Sequence, residues 1–315
     1  MSLNRRSLLL GSATLAAARS AQAQPAGLPR DKVFLGYTQD ELDRAYNQAA
    51  WVPNQAELQA GYATASATVR RTYRPRTQSY GPSAAETLDI FAPAVPGRAP
   101  IHVFIHGGAW LRLTKDDVSA PAPTFVDAGG IYVALNFANV HEVRLAEMAA
   151  QCRRALLWIY RNAASFGGNA ERITLSGHSS GGHLAAVMLT TDWAQAGGPV
   201  DLLKGGMLMS GIYDLYPVML SSRRSYVSVT PEELAALSPL RHLDQLRCPV
   251  AIAWGDLESP EFKRQNLVFA DALLGMGLQH GRHVLFNTNH FQVPLQLDRP
   301  DTILGRSALG MMGLA

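Results

Sequence analysis

One stretch restricts this chain more than any other. Gly177-His178-Ser179-Ser180-Gly181-Gly182-His183 lies between a short apolar strand, Ile173-Thr174-Leu175, and an apolar helical run from Leu184 to Leu189. A strand that turns sharply into a helix lifts the residue at the turn clear of the sheet. The glycines beside it are needed because a Cβ there would meet neighbouring backbone. Ser179 is the residue so presented, and it is the candidate nucleophile.

The surrounding pattern supplies a sheet for that turn. Apolar runs recur at Thr87–Phe91, Ile101–Ile105, Ile131–Asn136, Ile173–Ser176, Gly206–Ser210, Val250–Trp254 and His283–Phe286. Helical stretches separate several of them, most clearly Glu142–Ala164, Gly182–Thr191 and Glu261–Leu278. Strands alternating with helices imply an α/β domain whose mostly parallel central sheet is covered by helices on both faces. Residues 31–67 read as an amphipathic helical cap at the N-terminus, with Gln39-Asp40-Glu41-Leu42 as an acidic first turn. The Pro-bearing piece 213–245 interrupts the alternation and reads as a second, small cap insertion. Residues 24–315 are thus expected to form a single domain.

Residues 1–23 have a different character. Arg5-Arg6 precedes an apolar run from Leu8 to Ala18, and Ala21-Gln22-Ala23 has the small-residue pattern of a cleavage site. The run is short for a membrane-spanning helix. Asn4-Arg5-Arg6-Ser7-Leu8-Leu9 is similar to a twin-arginine export signal. The mature protein is therefore expected outside the cytoplasm, in a bacterial periplasm. Removing 1–23 takes away Arg5, Arg6 and Arg19 and no acid, so 28 basic residues become 25, against 25 acidic. With no net charge and no basic patch interleaved with aromatics, nucleic acid is a poor partner. No further apolar run is long enough to hold the mature chain in a membrane, and nothing in the sequence bears on oligomeric state. Cys152 falls on the apolar face of a helix and Cys248 opens a core strand, so both are expected as buried free thiols.

A serine hydroxyl needs a base to take its proton, and the base needs an acid to orient it. In the α/β-hydrolase arrangement, which this turn resembles, the partners follow the serine in the order acid, then histidine. His290 lies just past the last apolar strand, where loops gather over the sheet, and is the candidate base. His242 precedes the best acid candidate, Asp256, while His280 and His283 lie before or within that strand. Asp256, at the end of Val250–Trp254, is the preferred acid, with Glu258 competing; Asp214 reads as a turn residue. His106-Gly107-Gly108-Ala109-Trp110 follows the strand Ile101–Ile105, and its paired glycines let backbone N–H groups approach a developing oxyanion. The expected donors are the N–H groups of Gly107, Gly108 and Ser180. His106 is expected to brace that loop, and His178 and His183 to hydrogen-bond around the turn. No cluster has metal-ligand spacing and no phosphate-cradling glycine loop follows the first strand, so neither a metal nor another cofactor is implied.

With these motifs the chain resembles the α/β-hydrolase superfamily, and within it the hormone-sensitive-lipase-like esterases and the kynurenine formamidase (arylformamidase) group. The closer match is carried by Tyr46-Asn47, Val52-Pro53-Asn54, Tyr80-Gly81-Pro82, Leu88-Asp89-Ile90-Phe91 and the two glycine motifs above. Ser210-Gly211-Ile212-Tyr213-Asp214-Leu215, Leu237-Ser238-Pro239-Leu240, Ser259-Pro260-Glu261-Phe262-Lys263-Arg264-Gln265 and Asn289-His290-Phe291 complete it. The resemblance implies an α/β-hydrolase fold and a triad of Ser179, Asp256 and His290. It also implies a small acyl pocket beside Trp110 and a leaving-group cleft under the cap. Asn136-Phe137-Ala138-Asn139 departs from the Tyr-Arg that many relatives carry there. The expected activity is hydrolysis of short-chain or aryl carboxylic esters through an acyl-enzyme. The alternative is an arylformamidase acting on N-formylkynurenine or a related N-formyl arylamine. Export favours the ester, because formylkynurenine arises inside cells. A non-catalytic binding protein is disfavoured by the complete set of motifs.

Overall fold

The computed structural model describes residues 31–94 and 97–314. The expected export signal, 1–23, lies outside them. Eight strands among the described residues form one sheet: β1 Arg76–Ser79, β2 Thr87–Phe91, β3 Ala99–Ile105, β4 Ile131–Leu135, β5 Gly168–His178, β6 Gly205–Met209, β7 Val250–Gly255 and β8 Gln279–Leu285. Their order is β1-β2-β4-β3-β5-β6-β7-β8. The two pairings at the β1 edge are antiparallel and all the others are parallel.

Alternation along the strands feeds two cores. Ile101, Val103 and Ile105 of β3 join one apolar cluster, with helix Leu145–Asn162, helix Ser180–Leu189 and helix Pro260–Gly275 packed over it. Phe104 of β3 and Tyr132 of β4 join the opposite cluster, covered by helix Ala122–Val126 and helix Ile303–Met312. Burial on both faces is why the central strands read as nearly continuous apolar runs. His102, the polar exception, is satisfied by Thr174 Oγ1 at 2.9 Å and Ser176 Oγ at 2.7 Å, and burial pushes its pKa down to about 3. Cys152 and Cys248 are both buried free thiols.

Strand β1 has no counterpart among the expected strands. Its residues, Arg-Thr-Gln-Ser, are all exposed at the sheet edge, so no apolar periodicity marks it. The N-terminal helical segment also runs past residue 67. Helix Gln39–Tyr46 is closed by a Thr38–Glu41 capping box, and a second helix spans Gln55–Tyr73. The second one stops where Arg74 turns left-handed ahead of Pro75. Arg70 on this helix pairs with the fully buried Asp89 of β2, which also accepts from Lys115 Nζ at 3.1 Å. Residues 213–245 contain helix Tyr216–Leu220, helix Pro231–Ala236 and short 3-10 turns that pack beside the C-terminal ends of the strands.

Candidate active site

The turn after β5 has the geometry its glycines require. Ser179 sits at φ 58° and ψ −121°, a left-handed conformation that costs a non-glycine residue on the order of 1–3 kcal/mol and persists only where its surroundings enforce it. Enforcement here is backbone against backbone. A Cβ on Gly177 would lie 2.2 Å from the Gly181 carbonyl oxygen, and one on Gly181 would lie 2.1 Å from that of Ile105. The Ser179 N–H is held by the Met209 carbonyl of β6 at 2.9 Å.

Ser179 Oγ lies 2.9 Å from His290 Nε2. The Nδ1 atom of the same ring lies 2.8 Å from Glu258 Oε2. With Nδ1–H donating to the carboxylate, Nε2 is left as the acceptor for the serine hydroxyl, the tautomer a general base needs. All three side chains are buried. His290 is packed edge-on to Phe262 and Phe291, with ring centroids 4.9 and 5.2 Å away. His178 lies against it and donates from Nε2 to the His290 carbonyl at 2.9 Å. Burial pushes the His178 pKa well down, so this brace is a neutral imidazole. From the N-terminal segment, Tyr62 donates its hydroxyl to the Phe291 carbonyl.

Asp256 is not the carboxylate on His290. After β7 ends at Gly255, the Asp256 N–H bonds to the Leu285 carbonyl at 3.1 Å, and its carboxylate accepts from the Thr288 N–H at 3.1 Å. It therefore secures the loop between β8 and His290 and stays partly exposed. The turn brings Glu258 back over the strand end, where Oε1 accepts from the Gly255 N–H at 2.8 Å and the Ser210 hydroxyl at 2.5 Å. Two residues of turn and one extra methylene carry the acid to the histidine. Asp214 accepts from the Tyr216 N–H at 3.0 Å, a local turn contact.

The glycine loop after β3 lies against the elbow. A Cβ on Gly107 would be 2.7 Å from the His178 carbonyl oxygen and 3.3 Å from Ser179 Cβ. Gly108 is at φ 103°, and its carbonyl accepts from Leu111 and Arg112. No turn, cap or side-chain hydrogen bond among the described residues uses the N–H of Gly107, Gly108 or Ser180. His106 stacks on Phe137 at 4.2 Å and bonds to the Gly107 carbonyl, in the bracing position expected of it.

Trp110 has a different place from the one expected. It is 1 % exposed and does not line the cleft above Ser179. Its N–H donates to Ser180 Oγ at 3.1 Å and its indole Nε1–H to His183 Nδ1 at 3.3 Å. His183 in turn donates from Nε2 to the Leu237 carbonyl at 2.8 Å, and burial pushes its pKa down to about 4. A buried indole needs a partner for its N–H, and the one available lies inward. Trp110 thus ties the glycine loop to the helix after Ser179.

Above the serine lies a cavity of about 320 Å³, within the range of small-molecule sites. Tyr46, Gln48 and Tyr62 of the N-terminal segment and Arg223 and Tyr226 of 213–245 form part of its wall. A smaller apolar recess bounded by Gly107, His178, Phe104 and Leu295 adjoins it. Gln48 and Arg223 belong to no motif of the sequence, and Tyr46, though part of Tyr46-Asn47, had no place at the site until the fold brought it there.

The BD-FAE family pattern matches residues 88–201, the segment from β2 through the elbow helix. Kynurenine formamidase of Danio rerio is 31 % identical over 292 residues, an alignment covering 88 % of this chain and 97 % of that one. The chain belongs to the kynurenine formamidase family. Esterase LipQ of Mycobacterium tuberculosis is 28 % identical over 66 % of this chain and 55 % of its own. Among solved structures, a candidate thioesterase from Silicibacter superposes with a TM-score of 0.74 at 26 % identity, covering 85 % of this chain and 98 % of that one. The family, the sheet order and these neighbours place the chain among the α/β-hydrolases, as a hydrolase.

Proposed function

We propose that the protein is a serine hydrolase that cleaves short-chain or aryl carboxylic esters through an acyl-enzyme on Ser179. The observation that carries the reading is the continuous chain from Ser179 Oγ through His290 to Glu258, with contacts of 2.9 and 2.8 Å. His290 takes the serine proton as Oγ attacks the acyl carbon, and Glu258 holds the imidazolium that forms. The N–H groups of Gly107, Gly108 and Ser180 receive the oxyanion. The alcohol leaves with the proton from His290, and water repeats the sequence to free the acid. No metal or organic cofactor enters these steps.

A second reading is favoured by the family relationship over nearly the whole chain: the same residues hydrolysing an N-formyl arylamine. The amine is a poorer leaving group and depends more on proton donation by His290. Residues 1–23 support placement of the mature enzyme in the periplasm. The test is steady-state turnover of 4-nitrophenyl acetate and butyrate beside N-formylkynurenine, with Ser179→Ala as the blank. Ester turnover lost in the variant, with far lower kcat/KM on the formamide, supports the first reading. A formamide preference of orders of magnitude selects the second. Activity that survives Ser179→Ala overturns both.

A further inference from the structure

The recess beside the cleft has a volume of about 40 Å³, room for roughly two or three non-hydrogen atoms. Tyr62, Leu113 and His178 line both spaces. Gly107 borders the recess, whereas Ser179 and His290 border only the larger cleft. Much of the remaining wall is apolar, with Phe104, Val118, Pro121 and Leu295 in it.

Asp298 breaks that apolar wall. It ends the 3-10 segment Val293–Asp298, which begins soon after His290 and is fixed in the core by Val293 and Leu297. No hydrogen bond or ion pair among the described residues reaches its carboxylate, and burial pushes its pKa up to about 7. Every other buried or partly buried carboxylate among the described residues has a partner of its own. No lysine or arginine lines the recess. Its other titratable groups are already engaged. Tyr62 donates to the Phe291 carbonyl, Asp117 accepts from the Thr114 N–H and hydroxyl, and His178, kept neutral by burial, bonds to the His290 carbonyl. On its outer side Asp298 meets a surface hollow with Thr124 and Asp127. A carboxyl drawn out of water without a donor carries a free-energy cost that a ligand's donor recovers.

The two arms of an ester attached to Ser179 diverge from one carbon. The leaving group stays within reach of His290, which returns the proton to it, and so occupies the larger cleft. The other arm is directed past Gly107. We propose that the recess takes the acyl arm of the substrate and that Asp298 receives a hydroxyl or ammonium group carried within two or three atoms of the scissile carbonyl. This rests on the reading of Ser179 as the nucleophile. Asp298 is then a specificity-determining residue that selects the acyl group and takes no part in the proton transfers.

The test uses matched benzyl esters, each corrected for its rate with hydroxide. Glycolate and glycinate are set against propionate, and 3-hydroxypropanoate and β-alaninate against butyrate, so that only a terminal methyl is exchanged for hydroxyl or ammonium. At least one donor-bearing ester is expected to exceed its apolar match in kcat/KM by about tenfold or more. Asp298→Leu, which withdraws no hydrogen bond from the fold, brings that ratio to one or below and spares turnover of the propionate. Asp298→Asn separates the two donors: it keeps an acceptor for a hydroxyl and loses the charge that favours ammonium. Wild-type protein supplies a readout that needs no variant, because a recess of this size must cut kcat/KM sharply between butyrate and hexanoate. No donor preference in either series, or a preference unchanged in Asp298→Leu, overturns the proposal. Hexanoate turned over as well as butyrate overturns it too. If no ester is turned over, the hydrolytic reading fails separately. Calorimetric titration with N-benzylglycolamide and N-benzylglycinamide against N-benzylpropionamide then decides the subsite. Tighter binding of a donor-bearing amide that is lost in Asp298→Leu sustains it, and equal binding of all three, or none, sinks it.

Discussion

Glu258 Oε2 lies 2.8 Å from His290 Nδ1, while Oε1 of the same carboxylate accepts from the Gly255 N–H at 2.8 Å and the Ser210 hydroxyl at 2.5 Å. The acid is thus held at both oxygens, one fixed by the end of β7 and the turn after β6, the other free to orient the imidazole. Glu258→Gln keeps the shape but leaves Nδ1–H without its anion. A loss in kcat of about 10³–10⁴-fold is expected, as when the acid of a comparable triad is made an amide. Asp256→Asn should change kcat by less than about tenfold, since that side chain meets the Thr288 N–H and not His290. The pair of kcat values on 4-nitrophenyl acetate checks the assignment, and a reversed ranking would return the role to Asp256.

Helix Gln55–Tyr73 meets the loop that carries His290 through the Tyr62 hydroxyl on the Phe291 carbonyl and through apolar packing of Tyr62 with Phe291. Tyr62→Phe removes that bond and leaves a buried carbonyl short of a donor, at a cost of about 1–3 kcal/mol. The expected result is a lower Tm together with a kcat reduced severalfold, because His290 is the adjacent residue. An unchanged kcat beside a lowered Tm would mean that Tyr62 stabilises the fold without positioning His290.

Why the site was only partly legible follows from what each residue depends on. The strands announced themselves because both faces of the central sheet are buried, whereas β1 pairs at the edge with four exposed side chains. Ser179, His290 and the Gly107-Gly108 loop are marked by local constraints: a turn that excludes Cβ atoms, and a loop placed at a strand end. The choice between Asp256 and Glu258 depends on how two residues of turn fold back, which no spacing rule specifies. Trp110 reads as a pocket wall from its neighbours in sequence, yet the demand of its indole N–H turns it towards His183. Arg223 lies in a segment without periodicity, and its surroundings come from residues 46, 110 and 262, all far away in the chain.

The bond from Trp110 Nε1–H to His183 Nδ1 joins the glycine loop to the helix after Ser179. Trp110→Phe keeps much of the apolar volume but leaves the buried His183 acceptor unsatisfied. Destabilisation of about 1–3 kcal/mol is expected by chemical denaturation. On the proposed mechanism the looser loop should also lower kcat with little change in KM, because the Gly107 and Gly108 N–H groups would act on the transition state. A rise in KM alone would instead mark Trp110 as a substrate contact.

Asp298 gives the fold a dependence on pH separate from Ser179, His290 and Glu258. Its carboxyl borders the apolar recess beside Gly107 and His178, makes no hydrogen bond among the described residues, and is pushed by burial up to about 7. An unfolded aspartate ionises near about 3.9. Between those values the native state holds a proton that the unfolded state has released, so stability falls as pH rises from about 4 to about 7 and levels off above. Asp298→Asn removes the ionisation while keeping the size. Its Tm should exceed that of wild type at pH 8, with the gap narrowing steadily through pH 6 and closing near pH 4. Thermal melts of both proteins across that range check the sign. A gap that widens towards acid pH would show that the native carboxylate is stabilised in its charged form.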